Sequence, residues 1–162
     1  MTDQNDDVRN VVNIINDIRV GMFTTLDEHG KLVSRPLVAQ EVKEDGDLWF
    51  FTARGTSQVD HIALNPGVNV SFGSRSSWVS VSGEAEVIDD LGKARALWNP
   101  IVEAWFPDGP ETPGLVLVRV DSDSAEYWDT PGGVVTNVLQ WAKSHITGQR
   151  IQAGEGHTVD LD

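Results

Sequence analysis

Two short segments bring together residue types that can hold an anion. The first is Ser34-Arg35-Pro36-Leu37. The planar guanidinium of Arg35 matches phosphate with two charge-assisted hydrogen bonds. Pro36 donates no N–H, so it belongs at a strand edge or bulge where the ladder is already open. Backbone groups from Pro36 through Leu37 to Val38 are then free to face a ligand. The second segment is Phe50-Phe51-Thr52-Ala53-Arg54-Gly55-Thr56-Ser57, followed by Gln58. Here a strand ends, a glycine turn follows, and Thr56 or Ser57 starts a helix. Hydroxyls, a cation and helix-start N–H groups converge, which is how phosphates are commonly cradled. Each segment also has a plainer reading: a surface arginine at a bulge, and a hydroxyl helix cap. Taken together, they can place Arg35, Arg54 and two or three hydroxyls around one anion.

Aromatic residues add a second chemistry. Six tryptophans in 162 residues is a high number. Most read as packing residues whose indole N–H needs one partner, and one or two can line a flat slot for an aromatic ligand. Trp105-Phe106-Pro107, at the mouth of a proline-rich loop, is the candidate lid or inter-subunit contact. The pair Phe50-Phe51 reads as core rather than as a stacking platform.

Other chemistry is missing. The four histidines show no paired ligand spacing and no HExxH arrangement, and His29 and His157 read as solvated. The chain has no GxSxG, Walker or GxGxxG sequence. It has no cysteine, which excludes disulfides, thiolate chemistry and cysteine-ligated zinc or iron–sulfur centres. A nucleophile supplied by the protein is therefore not expected, and any redox chemistry belongs to a cofactor. Twelve Lys and Arg against 25 Asp and Glu leave a net charge of −13. That field repels nucleic acid and anionic lipid, so neither is an expected partner. The acidic start, Met1 to Asp7, is unlike a signal peptide, and no apolar run is long enough to span a bilayer. The expectation is a soluble cytoplasmic protein.

These residues need elements to hold them. Val8, Val11, Val12, Ile15 and Ile18 give Asp3 to Ile18 one apolar helical face, which Gly21 ends. Period-two strands follow at Met22–Leu26 and Leu32–Val42, joined by the turn Asp27-Glu28-His29-Gly30. Leu48–Thr52 is a third strand, Ser57–Leu64 a short helix, and Val68–Phe72 and Trp78–Ile88 are further strands. Helical segments run through Ala94 and Leu97, where Pro100 interrupts, and then from Ile101 to Trp105. Phe106 to Gly114 must be loop. Leu115–Val120 is a strand that Ala125–Trp128 extends after a bend. Asn137–Ile146 reads as a last helix. Six or seven short antiparallel strands with helices between them predict a mainly β fold, a barrel with helices at its margins.

The order Met22-Phe23-Thr24-Thr25, Ser34-Arg35-Pro36, Leu48-Trp49-Phe50-Phe51-Thr52, Trp78-Val79-Ser80-Val81-Ser82-Gly83, Leu97-Trp98-Asn99-Pro100, Ala104-Trp105-Phe106-Pro107 and Glu126-Tyr127-Trp128 resembles one known group of proteins. It is similar to the general-stress-protein-26-like branch of the pyridoxamine 5′-phosphate oxidase-like split barrels. The resemblance implies a six-stranded antiparallel split β-barrel over residues 1–148, with 149–162 as a polar, mobile tail. It implies a homodimer holding FMN at the subunit interface, with FAD or a deazaflavin as alternatives. Arg35 would reach the phosphate, and Pro36, Leu37 and Val38 would face the ring. Phe51, Thr52, Arg54, Thr56, Ser57 and Gln58 would complete the phosphate side, with Trp105 at the ring. Relatives commonly carry a lysine where this chain has Gln58, whose amide donates hydrogen bonds without charge. The implied function is a flavin-dependent oxidoreductase acting on an unknown small molecule. The alternatives are a flavin buffer or sensor without turnover, or a dimer whose flavin site is degenerate. Pyridoxamine phosphate oxidase activity is not expected, because Gln149–Asp162 lacks the basic residues that such an enzyme would carry.

Overall fold

The computed structural model describes residues 2–43, 46–129 and 157–160. The predicted helix at Asn137–Ile146 lies outside these residues, as do Trp141 and His145. The apolar stripe of α1 (Thr2–Ile18) places Val11, Val12 and Ile15 in the core. The helix ends at Arg19 rather than Gly21. Arg19 adopts a left-handed conformation (φ 65°) and closes the last turn with N–H to the Ile15 carbonyl at 2.8 Å. That conformation costs energy for a residue with a Cβ. Two further bonds hold it: Arg19 Nε donates to the Ala39 carbonyl at 2.9 Å, and Ala39 N–H donates to the Arg19 carbonyl at 2.7 Å. Gly21 has another purpose, since a Cβ there would lie 2.7 Å from Val70 and 2.8 Å from the Phe72 ring.

The strands are β1 (Val20–Leu26), β2 (Leu32–Val38), β3 (Leu48–Ala53), β4 (Gly67–Gly73), β5 (Ser77–Ile88), β6 (Leu115–Asp129) and β7 (His157–Asp160). All pairings are antiparallel, in the order β2-β1-β4-β5-β6-β3, and β7 pairs with β6. The two ends of the six-strand path curl together and meet at one isolated bridge, Ala39 to Phe50. This is the expected mainly β antiparallel split barrel, closed by a single contact rather than a ladder. Helix α2 (Ser57–Leu64) follows β3. Two short helices, α3 (Leu91–Leu97) and α4 (Pro100–Trp105), connect β5 to β6.

Three boundaries differ from the sequence reading for physical reasons. Strand β2 stops at Val38 rather than Val42: Ala39 N–H goes to the Arg19 carbonyl and Gln40 N–H to the Trp49 carbonyl, and the Asn16 amide on α1 takes both backbone groups of Val42, at 2.8 and 3.0 Å. Strand β6 runs unbroken for 15 residues, and its bend is a bulge opposite Ser82 and Gly83. A Cβ on Gly83 would sit 2.1 Å from the Asp121 carbonyl oxygen, so only glycine lets the backbones approach there. Within the stretch read as a mobile tail, His157–Asp160 is a strand on β6, and Val159 is buried.

The inner faces of the strands form one core. It includes Phe23, Phe50, Phe72, Val70, Val81 and Val118, with Phe23 edge-on to Phe50 at 5.2 Å. The outer face of β3 and β6 carries a second, smaller core. There Phe51 and Leu117 pack under Ala94 of α3 and Val102 of α4, and Phe51 meets Trp98 edge-on. Burial on both faces explains why β3 runs apolar from Leu48 to Phe51 rather than alternating.

Candidate functional site

Strand β3 ends where these two cores meet, and a cavity opens beside it. Its volume is about 340 Å³, within the range of small-molecule sites. Pro36, Leu37 and Val38 of β2 form one wall. Phe51, Thr52, Ala53 and Thr56 form the floor, and Ile101, Val102, Trp105 and Phe106 form the wall from α4. Seven of the residues singled out in the sequence are thus brought together: Pro36, Leu37, Val38, Phe51, Thr52, Thr56 and Trp105. Pro36 lies on edge strand β2, where its missing N–H leaves no ladder bond unmade on the open side. Among the described residues, none that lines the cavity has an ionisable side chain.

One end of the cavity is polar. Gln58 is buried and its Nε2 donates to Thr52 Oγ1 at 2.7 Å. Thr52 Oγ1 lies 3.3 Å from Thr56 Oγ1, and Thr56 Oγ1 donates to the Ala53 carbonyl at 2.7 Å. A hydroxyl has one proton. With the Thr56 proton on Ala53 and the Gln58 amide on Thr52, the Thr52 proton points to Thr56. Thr56 flanks α2 without capping it through its side chain, so the plain helix-cap reading does not hold. Ser57 is exposed at the first position of α2. The first N–H groups of any helix lack intrahelical partners, and here they sit beside the threonine pair.

Arg35 lies on the inner side of β2. Its Nη1 donates to Thr25 Oγ1 at 2.7 Å and, more weakly, to the Phe23 carbonyl at 3.3 Å. Its Nη2 is buried with no partner. Burial pushes the guanidinium below its ordinary pKa. An unpaired buried N–H of a cation is costly, and Arg35 stands behind the cavity wall rather than in its lining. Thr25 Oγ1 in turn lies 2.8 Å from His61 Nδ1 on α2. Gln58 and His61 are three residues apart on that helix, about 5–6 Å between Cβ atoms. The helix therefore brings the arginine cluster within one turn of the threonine cluster.

Arg54 does not join the site. Strand β3 turns it outward, its N–H bonds to the Gly114 carbonyl, and its guanidinium pairs with Asp89 at 2.6 Å across an exposed hollow. Four residues near the cavity carried no signal recognised in the sequence. Gln40 is buried in the wall, accepting from the Asn99 amide at 2.6 Å, and Asn99 caps α4. Ile101 completes the rim. Thr25 and His61 orient Arg35. Thr25 occupies an inward strand position where a hydrocarbon is expected, and that misplacement was the available clue.

The model of the pyridoxamine 5′-phosphate oxidase-like family matches residues 6–152, which is most of the chain. The chain belongs to that family. A relative named protein bli-3, from Neurospora crassa, is 32% identical over 143 residues, covering 81% of this chain and 68% of its own. A solved structure from Jannaschia sp. CCS1, named after general stress protein 26, superposes with a TM-score of 0.73 at 25% identity, covering 96% of this chain and 98% of its own. The general stress FMN/FAD binding protein of Xanthomonas citri superposes at 0.65 with 29% identity, over 81% of this chain and 91% of its own. The general-stress-protein-26-like resemblance and the split-barrel fold are both supported by these relatives. No helix among the described residues is long and apolar enough to cross a membrane.

Proposed function

We propose that this chain binds FMN in the cavity beside β3. The observation that carries the reading is one apolar slot continuous with a polar end. Its walls, from Pro36 to Val38 and from Ile101 to Phe106, suit a flat tricyclic ring. Its far end offers Thr52 and Thr56, with the buried Gln58 amide bonded behind them and, a turn away on α2, the cluster that holds the unpaired Nη2 of Arg35. In a protein of net charge −13, that end is where local groups can oppose the global field and hold a phosphate. The FMN/FAD binding relative from Xanthomonas citri supports a flavin ligand. FAD and a deazaflavin are the alternatives.

The cavity is open on the side of α4, and that rim is apolar and exposed. Trp105 is 74% exposed and Ile101 49%. On the sheet face that carries exposed Pro36, Met22 sits directly opposite it and is 44% exposed. A second copy covering this surface would bury these side chains and close the ring side of the slot, so the working form is a homodimer. Bound flavin supplies hydride or electron exchange with a small molecule. The chain's own part is to fix the ring between β2 and α4, to anchor the phosphate, and to exclude water.

Among the described residues no ionisable side chain lines the cavity, which favours a second reading, a flavin buffer or sensor without turnover. Titration with FMN and riboflavin, followed by reduction with nicotinamide donors under anaerobic conditions, separates these readings. Quenched flavin fluorescence with donor-dependent bleaching supports an oxidoreductase. Quenching without bleaching supports a buffer. Failure of either ligand to bind at micromolar protein leaves a barrel whose site is degenerate through Gln58.

A further inference from the structure

We infer that His61 is a positioning residue for Arg35, and that a dianionic phosphate or sulfate on Arg35 is held more tightly when His61 is protonated. The inference rests on the phosphate-side reading of Arg35 given above. It follows from the direction of two hydrogen bonds. A guanidinium only donates, so the Thr25 hydroxyl accepts from Arg35 Nη1 at 2.7 Å. The hydroxyl's single proton is then left for His61 Nδ1, 2.8 Å away. Thr25 is fully buried, so no water competes for that proton. The neutral ring accepts at Nδ1 and carries its own hydrogen on Nε2.

A second proton on His61 must sit on Nδ1, and it reverses that bond. Thr25 then accepts from two cations, one on each side, and its own proton loses its partner. Two positive charges now flank one hydroxyl inside the barrel. An anion meeting the free Nη2 of Arg35 relieves the repulsion, so anion and proton each favour the other's binding. The charged and titratable groups on the elements around His61 are few. They are Arg35 on β2, Asp27 at the end of β1, Asp60 beside it on α2, and exposed Glu84 and Glu86 on β5, while β4 has none. The Asp27 carboxylate feels the His61 charge and attracts the protonated ring whether or not an anion is bound. The anion-dependent part is therefore read as a difference.

The test follows the His61 Cε1–H signal by NMR from pH 5.5 to 8.5, in chloride and in sulfate. Sulfate stays dianionic across that window. The expected result is that sulfate moves half-protonation of the ring about half a pH unit upward, and that Thr25→Val or Arg35→Met abolishes the movement. In parallel, FMN affinity should tighten by up to about threefold from pH 8.5 to 6.5, the counterpart of a half-unit movement. That is a modest fraction of what two unit charges can exert across two hydrogen bonds. His61→Asn, whose side-chain oxygen replaces Nδ1 as the acceptor, should remove the slope and keep the affinity of the alkaline state. An unchanged ring titration in sulfate, or an equal slope in His61→Asn, overturns the inference. If sulfate shifts the ring but FMN never binds, the flavin reading fails and the coupling stands. If FMN binds with neither effect, the coupling fails and the flavin reading stands.

Discussion

Arg35→Met separates an arginine kept for a ligand from one kept for the fold. Methionine retains the apolar stem and removes the charge. In the ligand-free protein the change deletes two donations from Nη1, of which the 3.3 Å contact to Phe23 is long and weak. Thr25 keeps its bond to His61, and the Phe23 carbonyl keeps its place between strands. The change also removes a buried donor without a partner. The lost bond to a charged donor is worth about 1.5–3 kcal/mol, and the relieved unsatisfied group about 1–3 kcal/mol. The two nearly cancel, so ligand-free stability in urea should change by less than about 1.5 kcal/mol. FMN binding has no such compensation. Losing one charge-assisted phosphate contact of about 1.5–3 kcal/mol weakens FMN about 10- to 150-fold. Riboflavin, which lacks the phosphate, should change by less than about twofold. Fluorescence quenching with both flavins, beside urea unfolding without ligand, reads all three quantities. Equal losses for FMN and riboflavin, or a stability loss above about 3 kcal/mol, would show that Arg35 is a strut of the barrel.

Other substitutions probe the remaining contacts. Gln58→Lys adds a charge beside Thr52 and should tighten FMN up to about tenfold, leave riboflavin unchanged and lower the ligand-free melting temperature, because the buried amine then lacks an anion. Trp105→Ser should shift sedimentation toward monomer and weaken both flavins alike, whereas an unchanged assembly would remove α4 from the interface. Tyr127, on β6, donates to Asp7 of α1 at 2.7 Å, and burial, helped by that bond, pushes its phenol up. A raised folded-state value means that this stabilisation is full below about pH 10 and is lost as pH rises through the folded value. Tyr127→Phe should therefore flatten the alkaline fall in urea stability, and an unaltered fall would assign it to another group.

How much could be read in advance depended on whether a residue's role was local. Pro36 and the Thr56 turn announce themselves through chain geometry that neighbouring residues dictate, and the structure places both at the cavity. The helix Ser57–Leu64 was legible from the glycine turn and hydroxyls at its start. Arg54 looked equivalent to Arg35 because each is the one cation in a segment read as able to hold an anion. The difference lies in Asp89, 35 residues away, which captures Arg54 on the outer face. The C-terminal end of β2 was likewise set from a distance, by Arg19 and Trp49 taking the N–H groups of Ala39 and Gln40 and by Asn16 taking both groups of Val42. Gln40 and His61 carried no signal because each acts through a partner remote in sequence: Asn99 for one, Thr25 for the other.

The neutrality of the cavity walls bears on what the site can catalyse. Proton transfer by the protein requires an ionisable group within hydrogen-bond reach, about 2.6–3.2 Å, of the reacting atom. The lining from Pro36 to Phe106 contains hydroxyls and amides only, and the hydroxyl protons of Thr52 and Thr56 are already committed within the chain. Among the described residues no such group lines the slot, so a reaction completed here takes its proton from water, from the substrate, or from a residue beyond this lining, such as one brought by a second copy. The apolar rim of Ile101 and Trp105 fits the last source, because a covering subunit reaches the open side of the slot first. If turnover by the flavin-loaded protein falls on dilution while each subunit keeps its flavin, the missing proton donor lies across the interface. If turnover per bound flavin is constant down to the monomer, the proton donor does not lie across the interface.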